Sequence, residues 1–205
     1  MVVDSLSAAV ARFQQVRDRR HEALCLGNLA GASYHRGELD RCAELLVAAI
    51  DALHALGDVR SAALYTQNLG SVHELRQAWP AARAAYRQAA DELVGLGDAE
   101  AAACLAAGAR VERRDGGPCE APAAMLDCAE AMELDRTNRL AVALERAAFA
   151  ATYDGDGSAA LAAAEAMLAE LEAVPSFLEG PVEEARGLVR GTPGTMGDAD
   201  PVERA

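Results

Sequence analysis

The sequence has no lysine, one isoleucine and one tryptophan, and aromatic residues make up only 4% of its 205 residues. So few bulky side chains exclude a large core of interlocking aromatic and branched residues. Hydrophobic residues still account for 52% of the chain and charged residues for 25%, which excludes wholesale disorder. Forty-nine residues are alanine, and this composition favours helices that pack closely through small side chains.

Acidic residues outnumber basic residues in the sequence. Nineteen basic residues, all of them arginine, stand against 32 acidic residues, for a net charge of −13. Nucleic-acid binding requires a basic surface that displaces the counterions of the phosphates, so this balance predicts no nucleic-acid partner. An acidic surface also repels anionic membranes. The composition is typical of a GC-rich bacterial genome.

Targeting and membrane-spanning elements are not evident in the sequence. No stretch of eighteen apolar residues occurs, and the first residues lack the basic and apolar regions of a signal peptide. The five cysteines form no C-x-x-C pair, and four lie in helical patterns, where a free cysteine acts as a small apolar filler. These features predict a reduced, cytoplasmic protein.

The sequence repeats itself every 40 residues. Residues 24–58 align with residues 64–98, so that Leu24 matches Leu64, Asn28 matches Asn68, and Leu53 matches Leu93. A fixed period of this length predicts a solenoid of supersecondary units. Apolar residues recur at spacings of three and four, and no alternating β-branched run appears, so the predicted fold is all-α.

Turn residues mark where the predicted helices begin and end. Asp58 and Asp98 each follow a glycine and suit helix N-caps. Pro80 suits the first turn of a helix, where its missing N–H would be unpaired in any case. Each 40-residue repeat is therefore expected to contain two helices.

The repeats resemble tetratricopeptide repeats, in the long variety found in bacterial regulators and kinesin light chains. In that family a small residue on the first helix approaches a small residue on the second, twelve positions later. The matching pairs in this sequence are Ala30 with Cys42, Gly70 with Ala82, and Ala148 with Ala160. The resemblance implies a right-handed α-α superhelix of about four helix pairs with a leading half-repeat.

The resemblance also implies the domain organisation. A single helical array is expected over residues 1–190, followed by a flexible tail over 191–205. The array comprises a half-repeat at 4–19, repeats at about 20–57, 58–97, 98–135 and 136–174, and a capping helix at about 176–190. The third repeat fits the pattern when Gly108 takes the small position and Ala124 is its partner.

Motifs for metal binding and catalysis are weak. Residues 154–165 match a calcium loop at several positions, but Ala159 stands where the sharp-turn glycine belongs and the repeat pattern makes 159–165 helical. The four histidines form no H-x-x-x-H pair, and no nucleophile or phosphate-loop motif occurs. We therefore expect no enzyme activity, no metal and no cofactor.

The family resemblance implies that the first helices line a concave groove that holds an extended peptide. The candidate groove residues are Asn28, Tyr34, Gln67, Asn68, Ser71, Glu74, Glu112 and Glu145. Asparagine is unfavourable within a helix because its side chain competes for backbone hydrogen bonds. Two explanations for Asn28 and Asn68 stay open: they hold a peptide backbone, or duplication copied an asparagine that bridges two helices. Without lysine, a clamp for acidic tails is disfavoured, and a neutral or basic peptide is expected.

The expected function is a non-enzymatic scaffold that binds a protein or peptide, one form of which is the sensor or regulatory module of a bacterial signalling system. The alternatives are a small-molecule receptor or enzyme that uses the groove as its pocket, and a self-assembling structural repeat. The half-repeat leaves a stacking face that an upstream domain or a second copy would cover. The sequence thus also predicts a homo-oligomer formed through the N-terminal half-repeat.

Overall fold

A computed structural model describes residues 2–171 and 173–191, and this part of the chain contains ten α-helices and no strand. The α-helices are α1 (Val2–Gln15), α2 (Arg19–His35), α3 (Leu39–Ala55), α4 (Val59–Leu75), α5 (Trp79–Gly95), α6 (Ala101–Arg114), α7 (Glu120–Glu130), α8 (Arg136–Phe149), α9 (Ser158–Ala169) and α10 (Ser176–Val189). One π-helical turn, Ala150–Asp154, follows α8. The predicted all-α class is confirmed, and most of the tail predicted at 191–205 lies outside the described residues.

The bounds of α2 to α5 follow the 40-residue period, whereas the helices after α5 depart from it by one to five residues. The pairs α2–α3, α4–α5, α6–α7 and α8–α9 lie within the four predicted repeats, and α10 lies where the capping helix is expected. Asp58 caps α4 by accepting a hydrogen bond from the Ser61 N–H at 3.2 Å, and Pro80 lies in the first turn of α5. These local expectations are confirmed.

The predicted cap at Asp98 is wrong. Its Oδ1 accepts a hydrogen bond from the backbone N–H of Glu100 at 3.0 Å, and α6 begins only at Ala101, so that Glu100 is the residue before the helix. Asp98 therefore stabilises a turn that precedes the helix.

The chain divides between Leu96 and Gly97 into two compact units, where the sequence predicts one array over 1–190. In the N-terminal unit, which holds α1 to α5, each helix from α1 to α4 packs on the next along the chain. In the C-terminal unit α8 is central, because it contacts α6, α7, α9 and α10.

Small side chains lie at the helix contacts of the N-terminal unit, as predicted. Ala30 and Cys42 belong to one buried cluster with Leu46 and Ile50. At Gly70, an added Cβ would lie 2.9 Å from the ring of Tyr86 on α5, so glycine is required for this close approach of α4 to α5. Small side chains at these positions allow close packing around few bulky groups.

The C-terminal unit follows the predicted pairing of small residues less closely. Ala148 and Ala160 pack in one cluster as expected. The expected pairing of Gly108 with Ala124 is wrong, since Ala124 is exposed. The helix α7 has only 11 residues, and it buries a different set of side chains: Pro122, Leu126 and Ala129.

At the N-terminal end, α1 packs on α2, with Phe13 stacked on His21 at 5.2 Å between ring centroids. Its exposed positions between residues 7 and 15 carry small or polar side chains: Ser7, Ala8, Ala11, Arg12, Gln14 and Gln15. A homo-oligomer through this helix remains a prediction.

Candidate peptide-binding surface

The first helices of the two N-terminal repeats lie next to each other. The ring of Tyr65 on α4 packs directly on the backbone of Gly27 on α2, where any Cβ would overlap it. Asn28 follows Gly27 directly, and Asn68 lies three residues after Tyr65, one helical turn along α4. The two asparagines therefore flank the contact between α2 and α4.

Both asparagine side chains are exposed, and neither has a hydrogen-bond partner among the residues that the structure describes. An asparagine that bridges two helices would be hydrogen-bonded across them. The explanation that duplication copied a helix-bridging residue is therefore not supported. Each amide keeps two donors and an acceptor available for another molecule.

Further exposed residues lie on the same helix face as each asparagine. On α2, Gly31 and His35 follow Asn28 at spacings of three and seven residues, and both are exposed. On α4, Leu75 follows Asn68 at a spacing of seven and is also exposed. Residues at these spacings lie on one side of an α-helix. The two helices thus present matching faces, with amides near the middle and His35 and Leu75 at the C-terminal ends.

Ser71 and Glu74 meet at the hydroxyl of a third residue, Tyr86. The Tyr86 hydroxyl donates to Glu74 Oε2 at 2.9 Å and lies 3.0 Å from Ser71 Oγ. Because the single proton of the phenol goes to Glu74, Ser71 is the donor in its contact with Tyr86, where it competes with the hydrogen bond that Ser71 donates to the backbone oxygen of Gln67. The Ser71 hydroxyl also lies 3.4 Å from the backbone oxygen of Gln67. Glu74 and Tyr86 are buried and Ser71 is half-buried, so most of this chain of hydrogen bonds lies below the surface.

Tyr34 lies beside this group and is partly exposed. Burial raises the pKa of the Tyr34 phenol, and the nearby Cys42 and Glu74 raise it further. Gln67 is half-buried. Of the six candidates in this unit, Asn28, Asn68 and Tyr34 are exposed. Sequence reasoning missed the role of Tyr86, although its spacing of twelve from Glu74 equals that of the small-residue pairs.

The two candidates in the C-terminal unit, Glu112 and Glu145, are buried and so do not belong to an open surface. Glu145 on α8 accepts hydrogen bonds from Arg110 and Arg113 on α6, at 3.1 and 3.3 Å. Arg113 also donates to Glu184 on α10 at 2.8 Å, and Glu184 pairs with Arg114. Glu145 thus takes part in contacts between first helices, and a groove role for Glu112 and Glu145 stays a prediction that their burial does not favour.

The electrostatics of this arginine–glutamate network follow from its pairing. Burial opposes ionisation of Glu184, but the hydrogen bond from Arg114 and the charges of Arg113 and Arg114 prevail and lower the pKa of Glu184 to about 2. Burial likewise disfavours the charged form of Arg113, yet Glu145 and Glu184 raise the pKa of Arg113. Glu184 and Arg113 therefore stay ionised at neutral pH, and the network that contains them joins α6, α8 and α10.

The segment that resembles a calcium loop, residues 154–165, forms a turn followed by the start of α9. Asp156 Oδ1 accepts from the Ser158 N–H at 2.8 Å, and α9 begins at Ser158. Glu165 lies two turns into α9 and pairs with Arg186 at 3.1 Å. Among the described residues, no group of three His, Cys, Asp or Glu side chains is placed to hold a metal ion.

Comparison with models of known protein families gives no match, and comparison with curated proteins gives none either. Within the described ranges, no helix combines the length and the apolar character needed to cross a membrane.

Proposed function

We propose that the chain is a non-enzymatic scaffold of the tetratricopeptide type, which binds an extended segment of a partner protein across α2 and α4. The observation that supports this proposal is the pair of exposed asparagine amides, one period apart and without hydrogen-bond partners among the described residues. Asparagine costs a helix roughly 0.5 kcal/mol relative to alanine. A residue that is unfavourable for the helix and makes no side-chain hydrogen bond to the described residues at either position fits a role in binding.

The chemistry of the surface indicates what the partner segment contains. The carboxylate of Glu74 accepts the Tyr86 hydrogen bond below the surface, so the exposed groups are amides, Tyr34, His35 and Leu75. Recognition would then combine hydrogen bonds to a peptide backbone with apolar contact at the C-terminal ends of α2 and α4. A neutral or weakly basic segment with an apolar anchor fits this surface, and such binding suits a regulatory module.

The decisive experiment removes both amides. Peptides selected from a random display library on the whole chain would be titrated calorimetrically against the wild type and against Asn28→Ala/Asn68→Ala. Each lost hydrogen bond costs about 0.5–1.5 kcal/mol, so we expect affinity to fall by roughly one to two orders of magnitude. Helicity should persist, because alanine is the better helix former.

The control is Gln15→Ala/Gln88→Ala, which removes two exposed amides from α1 and α5 and leaves α2 and α4 unchanged. It should change affinity less than about two-fold. Equal affinity of the asparagine double variant and the wild type, with the fold intact, would show that the amides take no part in binding and would end the proposal.

A further inference from the structure

The connection between α1 and α2 carries three exposed arginines, here called the arginine cluster: Arg12, Arg17 and Arg19. Arg12 lies in the last turn of α1, Arg17 lies in the connecting turn, and Arg19 is the first residue of α2. The Val16 N–H bonds to the Arg12 carbonyl at 3.2 Å, and the Arg19 N–H bonds to the Arg17 carbonyl at 3.1 Å. The three side chains therefore leave the backbone within one short, hydrogen-bonded segment.

The side chains of the arginine cluster have no hydrogen-bond or salt-bridge partner among the residues that the structure describes. The nearest carboxylates along the chain are already engaged. Asp18 Oδ1 accepts a hydrogen bond from the His21 N–H at 3.2 Å, and Asp18 Oδ2 lies 2.8 Å from His21 Nδ1. Glu22 Oε1 accepts from Gln14 Nε2 at 2.8 Å. The three guanidinium groups therefore keep their donors available for another molecule.

The charge of this segment is opposite in sign to that of the chain. Residues 12–22 hold four arginines and two acidic residues, a net charge of +2, whereas the whole chain has a net charge of −13. The fourth arginine, Arg20, pairs with Asp58 at 3.0 Å. The positive charge that the fold leaves without a partner therefore belongs to the arginine cluster.

Two of these arginines occupy positions that disfavour arginine. The backbone φ of Arg17 is +57°, and the turns 20, 40 and 80 residues later have a glycine with positive φ at this position. Glycine adopts this region freely, whereas arginine does so at a cost. Arg19 begins α2, where the helix dipole disfavours a positive charge. Residues that the fold disfavours, and whose side chains bond to none of the described residues, fit a role in binding.

The chemistry of the guanidinium group indicates the kind of partner. Guanidinium groups bind carboxylates through charge-assisted hydrogen bonds, so three of them in one segment complement a partner with several carboxylates. Nucleic acid fits less well, because its binding requires a broad basic surface and this chain has a net charge of −13. A protein segment with closely spaced acidic residues therefore suits the arginine cluster best.

We propose that the arginine cluster docks an acidic segment of a partner protein, in which several aspartates or glutamates lie close together in the sequence. None of its residues belongs to the faces of Asn28 and Asn68. Its occupation therefore does not depend on peptide binding at those faces.

The test uses a short synthetic peptide in which glutamate alternates with serine, titrated against the whole chain by fluorescence anisotropy. The comparison peptide has glutamine in place of every glutamate. We expect the glutamate peptide to bind at least about five-fold more tightly than the glutamine peptide. Added salt should reduce this difference, because it screens exposed charges.

Two triple variants separate a local site from the overall charge of the chain. The first removes the arginine cluster: Arg12→Gln/Arg17→Gln/Arg19→Gln. The second, Arg41→Gln/Arg87→Gln/Arg190→Gln, removes three exposed arginines from separate helices or their ends, which also have no partner among the described residues. Both variants change the net charge equally. The first should weaken binding of the glutamate peptide by about ten-fold or more, and the second by less than about two-fold.

Arg17→Gly tests whether binding or the fold requires this arginine. Glycine relieves the positive φ, so this variant should unfold at a higher urea concentration than the wild type. It should also bind the glutamate peptide about three-fold more weakly, as expected for one exposed ion pair. Lower stability of Arg17→Gly would contradict the proposal, because Arg17 would then serve the fold.

Three further outcomes would overturn the proposal. The first is equal binding of the two peptides, and the second is an equal effect of the two triple variants. The third is another occupant of the arginine cluster. A single-stranded oligonucleotide that binds more tightly than the glutamate peptide would indicate phosphate, and a dimer in sedimentation that the cluster variant dissociates would indicate a second copy.

Discussion

At the scale of single residues, the two repeats differ in the residue with positive φ that follows a helix. The backbone N–H of Gly57 bonds to the His54 carbonyl, that of Asp58 bonds to the Leu53 carbonyl, and Gly57 has a positive φ. The same pair of bonds closes α4, but the residue with positive φ there is Gln77, at +54°. Glycine adopts this left-handed region freely, whereas other residues do so at a cost.

Replacing Gln77 by glycine should therefore stabilise the chain. The strain of a side chain in the left-handed region exceeds the extra entropy of glycine in the unfolded state, for a net gain of roughly 0.5–1 kcal/mol. Urea denaturation of Gln77→Gly would measure it. The reciprocal variant Gly57→Gln should lose a similar amount, and a stabilising Gly57→Gln would contradict this account.

Glycine within a helix tests packing instead of backbone strain. Gly70→Ala places a Cβ 2.9 Å from the Tyr86 ring, so the ring or α5 must move, at a cost on the order of 1–3 kcal/mol. Gly31→Ala is the matched control, because nothing lies within 4 Å of its added Cβ. It should stabilise α2 by up to about 1 kcal/mol. Thermal melts of the two variants should move in opposite directions, and a shared direction would refute the close contact at Gly70.

At the scale of helices, the sequence predicts the elements better than their contacts. The period locates α2 to α5 because small residues, caps and apolar spacings recur together in both repeats. It does not reveal the network of Arg113, Glu145 and Glu184, since charged residues are usually exposed and nothing in the period relates α6 to α10. The same limit explains the candidate surface: Asn28 and Asn68 are exposed, whereas Glu145 is buried by pairing that only the fold creates.

The network makes the C-terminal unit sensitive to the loss of one charge. Arg113 and Glu145 side chains are only 6% and 4% exposed, so Arg113→Met leaves Glu145 with Arg110 alone and removes one of the two arginines that pair with Glu184. Removing one partner of a buried pair costs about 3–5 kcal/mol. The control Arg136→Met breaks an exposed pair with Glu170, worth about 0–1 kcal/mol. Equal midpoints of denaturation for the two variants would show that the network does not hold α6, α8 and α10 together.

At the scale of the whole molecule, the two compact units differ strongly in charge. Residues 1–96 hold ten arginines and eleven acidic residues, a net charge of −1, while residues 97–205 hold nine arginines and 21 acidic residues, a net charge of −12. Almost all of the acidity therefore belongs to the part that begins with the C-terminal unit. The N-terminal unit, which carries the candidate peptide surface, is nearly neutral and can approach partners of either sign.

This asymmetry predicts that salt stabilises the two units unequally. Like charges repel one another across the C-terminal unit and oppose its compact state. Raising the ionic strength shortens the screening length from about 30 Å at 0.01 M to about 8 Å at 0.15 M, which weakens this repulsion, while the buried pairs of Arg113 are screened much less. Hydrogen exchange measured by mass spectrometry at the two salt concentrations should show slower exchange in α8 and α9 at the higher one. Exchange in α3 and α4, which lie within residues 1–96 with their net charge of −1, should change little and serves as the internal control. A uniform response of both units, or faster exchange in α8 with added salt, would mean that repulsion within the C-terminal unit does not limit its stability.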